Sequence, residues 1–155
     1  MKEIPLTHGK VAIVDDDMYE WLSQWDWYAS RSRNTWYAKR SDGTKRIRMH
    51  REIMRAPEGV LVDHRDGDGL HNWRENLRNC TDAQNKMNRK VISANNTSGY
   101  KGVSWSKKKR KWIAQSMINK KHIFIGHFST PEEAARAYDE KARELFGEFA
   151  RTNFK

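Results

Sequence analysis

The side chains best suited to chemistry in this sequence lie between residues 60 and 88. A hydrophobic run ends in the pair Asp63-His64, and a Gly-rich stretch then leads to Asn76. If that stretch folds back as a hairpin and a helix follows, Asn85 comes to one point in space with Asp63. Their two oxygen ligands can then hold a hard divalent cation, while His64 points to the other side of the strand end. The segment therefore predicts a metal site built from oxygen ligands.

Two other interpretations of this segment stay open at this point. The first is a calcium loop of the EF-hand type, in which Asp66 and Asp68 fall at positions 3 and 5. It is disfavoured because His64 stands where the first Asp ligand belongs and no helix-forming segment enters the loop. In the second interpretation, Asp63 and His64 only cap a turn in a domain without catalytic activity.

The spacing of these residues resembles the ββα-metal motif of the HNH nuclease family. The motif has Asp63-His64, then Asn76-Leu77 after 12 residues, and Asn85 after a further 9. The resemblance extends more loosely through the N-terminal block, whose segments IPLTHGKVAIVDDDMYEWLSQWDWYA and MHREIMRAPEGVLVDHRDGDG look like phage-borne and intron-borne homing endonucleases. It implies that His64 is the general base that activates water.

The resemblance also implies the roles of the remaining motif residues. Asp63 and Asn85 would be the metal ligands, and Asn76 would fix the hairpin around His64. Because the last position is Asn rather than His, an oxygen ligand favours Mg²⁺ or Mn²⁺ over zinc. A histidine with a pKa of about 6.5 can take a proton from water, and one cation can stabilise the scissile phosphate and the leaving group.

Four cations near the motif could hold flanking phosphates, although a solvated surface charge is an equal alternative for each. They are Arg65, Arg74, Arg78 and Lys86. The other histidines, His8, His50, His71, His122 and His127, lack a comparable constellation, so we expect structural or surface roles for them.

The elements that position these residues indicate an α+β chain of three modules. Residues 1–58 read as a small α+β block, with a strand over 10–14, a helix after Asp15 and a turn over 41–44. We expect most of its Trp and Tyr side chains to pack in a core rather than contact nucleic acid. Residues 59–92 form the HNH hairpin and helix, and the polar segment 93–98 is the predicted linker.

Residues 99–155 show three strands followed by one helix. Alternating residues predict strands over 100–106, 111–118 and 121–128, and Pro131 with two acids starts a helix that Gly147 ends. The amphipathic helix can cover one face of the antiparallel sheet, which leaves the other face free for a ligand. We expect four aromatic side chains in this core: Trp112, Phe124, Phe128 and Tyr138.

This last module resembles the plant ethylene-response-factor, or APETALA2-type, DNA-binding domain over about 58 residues. The framework includes Tyr100-Lys101-Gly102-Val103, Ile125-Gly126-His127-Phe128 and Arg151-Thr152-Asn153-Phe154. The resemblance implies that the sheet lies in the major groove of DNA and the helix packs behind it. The family's base-reading Arg or Trp positions are occupied here by Lys101, Ser104, Ser106, Met117 and Phe124, so its plant target sequence does not carry over.

The charge of the chain fits a polyanionic partner. The formal net charge is +10, and the stretch from Ala83 to Pro131 contains no acidic residue. Its cations suit phosphates, and Gln115, with Ser104, Ser106 or Trp105, could carry sequence information. A solvated turn is the alternative for the basic run 107–111. The expected DNA contacts are Lys101, Ser104, Trp105, Lys107, Lys108, Lys109, Arg110, Lys111, Gln115, Lys120 and Lys121.

Together these features predict a metal-dependent, site-directed DNA endonuclease of the homing type. The partner is double-stranded DNA, and we expect no membrane and no obligate protein partner. With no apolar membrane span, no secretory signal and only one cysteine, Cys80, it should act in the cytoplasm of a bacterial host on phage or host DNA. The alternatives are a non-catalytic DNA-binding regulator that retains an HNH shell and an RNA-binding protein.

Overall fold

The structure, a computed structural model, describes residues 1–32, 35–88, 95–118 and 121–154. It divides into two compact units, Met1–Thr81 and Asp82–Lys155. Antiparallel sheets and a few helices build both units, so the predicted mixed α and β fold is confirmed. No helix in the described ranges is long and apolar enough to cross a membrane.

The first unit contains three small antiparallel sheets and two short helices. The sheets are the hairpin β1–β2, the meander β3–β4–β5 and the hairpin β6–β7. Its elements are β1 (Lys2–Pro5), β2 (Val11–Val14), α1 (Asp16–Leu22), β3 (Tyr28–Ser32), β4 (Thr35–Ser41), β5 (Arg46–Arg48), α2 (Met49–Ile53), β6 (Leu61–His64) and β7 (Leu77–Cys80).

One core serves the whole first unit. Ile4, Leu22 and Trp27 from the N-terminal block are buried in the same cluster as Leu77 from β7. The β6–β7 loop is also bonded to β2, because Ile13 exchanges backbone hydrogen bonds of 2.9 and 2.7 Å with residues 70 and 72. The predicted boundary at residue 58 therefore does not separate two cores, since neither part buries its apolar face alone.

Three of the tryptophans of the first unit pack edge-on next to Arg40. Trp25 makes edge-on contacts with Trp21 and Trp27, with ring centroids 5.4 and 6.5 Å apart. The guanidinium of Arg40 lies 4.4 Å from the Trp25 ring and donates to both carboxylate oxygens of Glu52 at 3.1 and 2.7 Å. These aromatic side chains are therefore engaged in packing.

The second unit is a three-stranded sheet with one long helix. Its elements are α3 (Asp82–Met87), β8 (Val103–Ser106), β9 (Lys111–Ile118), β10 (Lys121–Phe128) and α4 (Pro131–Phe146). The strand order is β10-β9-β8, and β9 and β10 begin and end at the predicted residues. α4 covers one face of the sheet through Ala134, Ala135 and Tyr138, which pack against Val103 and Ala114.

Local sequence fixes both the start of α4 and its distance from the sheet. Thr130 accepts a hydrogen bond from the backbone N–H of Glu133, whose carboxylate accepts one from the Thr130 N–H, so the helix begins with a capping box. Gly102 has a φ of +77°, and a Cβ atom there would lie 2.0 Å from the Tyr138 ring. The close approach of Tyr138 to the backbone before β8 therefore requires glycine.

The predicted linker 93–98 differs from the observed organisation. Residues 93 and 94 lie outside the described ranges, and the two units divide between Thr81 and Asp82. The Asn96 Oδ1 accepts hydrogen bonds from the backbone of Ser98 and Gly99, each at 2.9 Å. The end of the segment is thus an ordered turn of the second unit, because an Asn side chain can replace backbone partners in a turn.

Three non-glycine residues in the described ranges have a left-handed backbone. They are His8, Arg55 and Arg110, with φ values of 60°, 45° and 52°. All three carry basic side chains, and Arg110 lies in the turn between β8 and β9.

Candidate active site and DNA-binding surface

His64 ends strand β6 in a buried position. Its side chain is 4% exposed, and its Nε2 lies 3.2 Å from the Oδ1 of Asn72. The Asn72 amide nitrogen donates to the carbonyl of Gly69, so Oδ1 faces the imidazole as an acceptor. With Oδ1 as the acceptor, Nε2 is the donor of the neutral ring in this contact. Burial lowers the pKa of His64, while the bond to Asn72 raises it less, so the ring is neutral at neutral pH.

Two rings from other elements pack against His64. The His50 ring from α2 lies 4.9 Å away in an edge-on arrangement, and the Tyr37 ring from β4 lies 5.9 Å away. His50 is 3% exposed, and its Nδ1 is the one buried side-chain nitrogen or oxygen without a hydrogen-bond partner in the part of the chain described. Burial lowers the pKa of His50 to about 2, helped by repulsion from His64.

His50 and Asn72 are not among the site residues that the sequence predicts. The sequence predicts a structural or surface role for His50, and nothing in its local sequence indicates contact with β6. Asn72 lies between the motif residues His64 and Asn76, and that position was the available signal. A fully buried amide in a Gly-rich loop needs a partner, and His64 supplies one.

Asn76 braces the loop that joins β6 to β7. Its Oδ1 accepts a hydrogen bond from the backbone N–H of Asp66 at 3.2 Å. Its Nδ2 donates to the Asp66 carboxylate at 3.1 Å and to the carbonyl of His71 at 2.9 Å. One buried amide thus ties the start and the middle of the loop to the residue before β7.

Asp63 and Arg78 form a buried ion pair across the hairpin. Asp63 is 7% exposed and Arg78 is 6% exposed. The Nε and Nη2 of Arg78 donate to the Asp63 Oδ2 at 3.1 and 2.9 Å. The prediction that Arg78 is a surface cation for phosphate is therefore wrong. The two residues are directly opposite in the β6–β7 register, which the sequence spacing did not specify.

The predicted metal ligands have oxygen donors that fit Mg²⁺ or Mn²⁺. The described ranges contain no cluster of three or more His, Cys, Asp or Glu residues suited to a metal. The Nε and Nη2 of Arg78 donate to Oδ2 of Asp63, and carboxylate and amide oxygens are the ligand type that these cations prefer. Asn85 lies in α3, in the second unit, so its meeting with Asp63 stays a prediction.

The other predicted phosphate ligands near the motif differ in their surroundings. Arg74 is half exposed, but its guanidinium pairs with Asp15 at 3.3 Å and with Asp17. Lys86 is exposed on α3 and forms an ion pair with Asp82, one helical turn earlier. Arg65 is exposed at the start of the loop. Since aspartates neutralise Arg74, it is the least suited of the three to bind phosphate.

The second unit presents most of its predicted cations at one end of the sheet. Residues 107–111, in the turn from β8 to β9, are all exposed, as is Lys121. Lys101 differs, because it is partly buried and donates to the carbonyl of Met87. Burial lowers its pKa to about 8, which still leaves the ammonium mostly protonated at neutral pH, so its contact with phosphate stays a prediction. Lys120 lies outside the described residues.

The fold and the site define a protein of two units. One contains the β6–β7 hairpin with the buried His64, and the other is a three-stranded sheet with one helix and an exposed basic turn. The AP2 domain family matches residues 98–148. Over 151 residues the chain is 31% identical to an uncharacterized HNH endonuclease, L560, of Acanthamoeba polyphaga mimivirus, covering 94% of this chain and 75% of that protein. The chain therefore belongs to the HNH endonuclease family and carries an AP2 DNA-binding domain.

Other relatives cover smaller shares of the chain. Protein 3.8 of Escherichia phage T7 is 36% identical over 113 residues, which is 69% of this chain and 91% of that protein. The ethylene-responsive transcription factor ERN1 of Medicago truncatula is 42% identical over 64 residues, covering 40% of this chain and 24% of the plant protein. No solved structure matches the chain significantly.

Proposed function

We propose that this protein is a metal-dependent, site-directed DNA endonuclease of the homing type. The observation that carries the proposal is the His64–Asn72 contact, which holds a neutral imidazole beside Asp63 at the end of β6. Hydrolysis of a phosphodiester needs a base to take a proton from water, and a neutral histidine with a fixed ring is suited to that role. Family membership makes phosphodiester hydrolysis the chemistry to test first.

In this mechanism the chain's own residues divide the work. His64 takes the proton of the attacking water on its imidazole ring, whose orientation is held by the contact with Asn72. Asn76 keeps the hairpin closed around the ring through its three hydrogen bonds. Asp63 and Asn85 would hold one Mg²⁺ or Mn²⁺, which when bound supplies positive charge to the scissile phosphate and leaving group.

The AP2 domain would bring the target to the catalytic hairpin. Its exposed cations at 107–111 suit phosphate contacts, which give affinity without sequence information. A binding module on the same chain raises the local concentration of DNA at the hairpin without adding a catalytic contact. The protein would then act on phage or host DNA in a bacterial cytoplasm.

A His64→Ala variant tests the catalytic assignment. Loss of a general base should lower the cleavage rate by roughly 10²–10⁴-fold, while DNA affinity stays unchanged because it depends on remote phosphate contacts. Cleavage of the DNA that flanks the gene is measured with Mg²⁺, and binding is measured without it. His8→Asn is the matched control, because His8 is exposed and its left-handed backbone tolerates Asn. Cleavage by His64→Ala at more than about a tenth of the parental rate would refute the role.

Substitutions at Asn85 test the metal assignment. Asn85 is partly exposed on α3, so its replacement should leave the fold intact, whereas changing Asp63 also breaks the buried pair with Arg78. Asn85→Ala should raise the Mg²⁺ concentration for half-maximal cleavage, and Asn85→Asp should retain metal dependence because it keeps an oxygen ligand. An unchanged Mg²⁺ titration in Asn85→Ala would remove this residue from the site.

The same measurements separate the two alternative functions. Duplex binding without metal-dependent cleavage by the parental protein would indicate a non-catalytic regulator. Preference for single-stranded RNA over duplex DNA would indicate an RNA-binding protein.

A further inference from the structure

The sheet of the second unit has one face that α4 does not cover. Alternation along the strands and the cross-strand pairs place nine side chains on this outer face. Lys111, at the end next to the basic turn, is the one among them with a permanent charge, although the surrounding stretch is rich in lysine. The nine are Ser104, Ser106, Lys111, Ile113, Gln115, Met117, His122, Phe124 and His127.

Phe124 lies on this outer face, contrary to its predicted place in the core. It is 59% exposed, whereas Phe128 packs against the α4 side. Strict alternation would put the two on the same face. A β-bulge between Phe124 and Gly126 adds one unpaired residue, so the strand changes face between them. Phe128 then turns inward and Phe124 outward.

On this outer face the apolar side chains of Ile113, Met117 and Phe124 lie next to the amide of Gln115 and form an apolar strip, with Ser104, His122 and His127 as polar neighbours. Phe124 is directly opposite Gln115, and its ring lies 5.0 Å from that of His127. Met117, 48% exposed, occupies the next outward position on β9 after Gln115. Trp105 is excluded from the strip, because it contacts Trp112 and alternates with Val103 on the α4 side. The expectation that Trp105 reads bases is therefore not supported by its position.

Charge indicates which partner covers this strip. No acidic residue occurs from Ala83 to Pro131, and the exposed run 107–111 lies at one end of the sheet. An apolar strip with a cationic rim fits the major groove of duplex DNA, where phosphates flank the exposed edges of the bases. A purely apolar protein partner would leave the lysines of the rim without counter-charge.

We propose that the outer face recognises thymine methyl groups in the major groove, through Phe124 and Met117, with Gln115 bonded to an adjacent adenine. The thymine C5-methyl is the apolar feature of the major groove, and a Gln side chain matches the N6 and N7 atoms of adenine. The protein thereby prefers A·T pairs at the centre of its site. This inference rests on the proposed DNA-binding function and adds the base class that is recognised.

Replacing thymine by deoxyuridine measures the proposed contacts directly, because it removes only the methyl group. A buried methyl is worth about 0.8 kcal/mol, which corresponds to about a fourfold loss of affinity for each contacted thymine. Sites are selected from a random duplex library with the full chain, without divalent metal. Affinity is then compared between the selected duplex and its deoxyuridine form.

Three variants give the test its controls. Phe124→Ala and Met117→Ala should each bind the two duplexes with nearly equal affinity, and both residues are exposed, so folding is preserved. Lys108→Ala, in the exposed turn, should weaken binding to both duplexes equally and keep the parental thymine-to-uracil ratio. Gln115→Ala should relax the preference for adenine in a new selection.

Each outcome separates the inference from the function on which it rests. Failure of the parental chain to bind any duplex would overturn the DNA-binding function itself. Binding with equal affinity for thymine and uracil duplexes would overturn only the recognition of methyl groups. Sedimentation of the variants identifies the other possible occupant. If Phe124→Ala dissociates an oligomer while the thymine-to-uracil ratio stays parental, the strip is a contact between copies of the chain and the inference is wrong.

Discussion

Acidification should destabilise the first unit through His50. This ring is 3% exposed, and burial lowers its pKa from 6.5 to about 2. Below pH 6.5 the unfolded chain binds a proton at His50 that the folded chain does not bind until the pH approaches 2. The free energy of unfolding is therefore highest above pH 6.5 and falls as the pH decreases through this window.

The size of the effect follows from the two pKa values. One pH unit below the unfolded pKa changes the free energy of unfolding by about 1.4 kcal/mol. At about pH 5, roughly one and a half units below 6.5, His50 should lower the free energy of unfolding of the first unit by about 2 kcal/mol relative to pH 8. Burial also lowers the pKa of His64, so that ring adds to the loss in the same direction.

Urea unfolding at about pH 5 and 8 measures this dependence, with amide NMR signals from β4 reporting on the first unit alone. His50→Phe keeps a ring against His64 but cannot take up a proton, so its pH dependence should be smaller than the parental one by about 2 kcal/mol. His8→Asn, which removes an exposed histidine, should retain the parental dependence. Equal pH dependence in His50→Phe and the parent would refute the reasoning, as would a His50 ring that titrates near 6.5 by NMR.

Two further predictions concern the AP2 domain. Gly102→Ala should unfold the second unit, because the new Cβ would lie 2.0 Å from the Tyr138 ring. Gly99→Ala has a φ of +75° but open space around it, so it should lower the free energy of unfolding by only about 1 kcal/mol. Circular dichroism on heating distinguishes the two variants, and a folded Gly102→Ala would contradict the packing argument. Thr130→Ala breaks the capping box, so it should lower the free energy of unfolding in urea by about 1 kcal/mol. Ser129→Ala is the control, and an equal loss in both variants would show that the cap does not stabilise the helix.

The strongly patterned elements could be predicted from the sequence. β9 and β10 alternate over eight residues each, and α4 has a proline, two acids and a capping threonine at its start. These signals act between near neighbours in the chain, so a single sequence contains them. The mixed fold and the strand, strand, strand, helix order of the second unit follow from them.

Features that depend on register or on long-range contact could not be predicted. Alternation alone predicts Phe124 in the core, because it does not reveal the bulge that follows this residue. The local sequence favours a surface position for Arg78, because the register that puts it opposite Asp63 is set by the loop between them. The contact of His50 with His64 joins α2 to β6, and no local pattern encodes it.

The left-handed residues His8, Arg55 and Arg110 have a consequence for engineering the protein. Glycine adopts a positive φ without the steric cost of about 1–2 kcal/mol that a side chain incurs, so it would be the choice for stability alone at each position. The chain instead places a basic side chain at all three. At Arg110, inside the exposed basic turn, a stabilising glycine would also remove a cation. A glycine at Arg110 selected for heat resistance should therefore raise the melting temperature and weaken the binding of the protein to a polyanion.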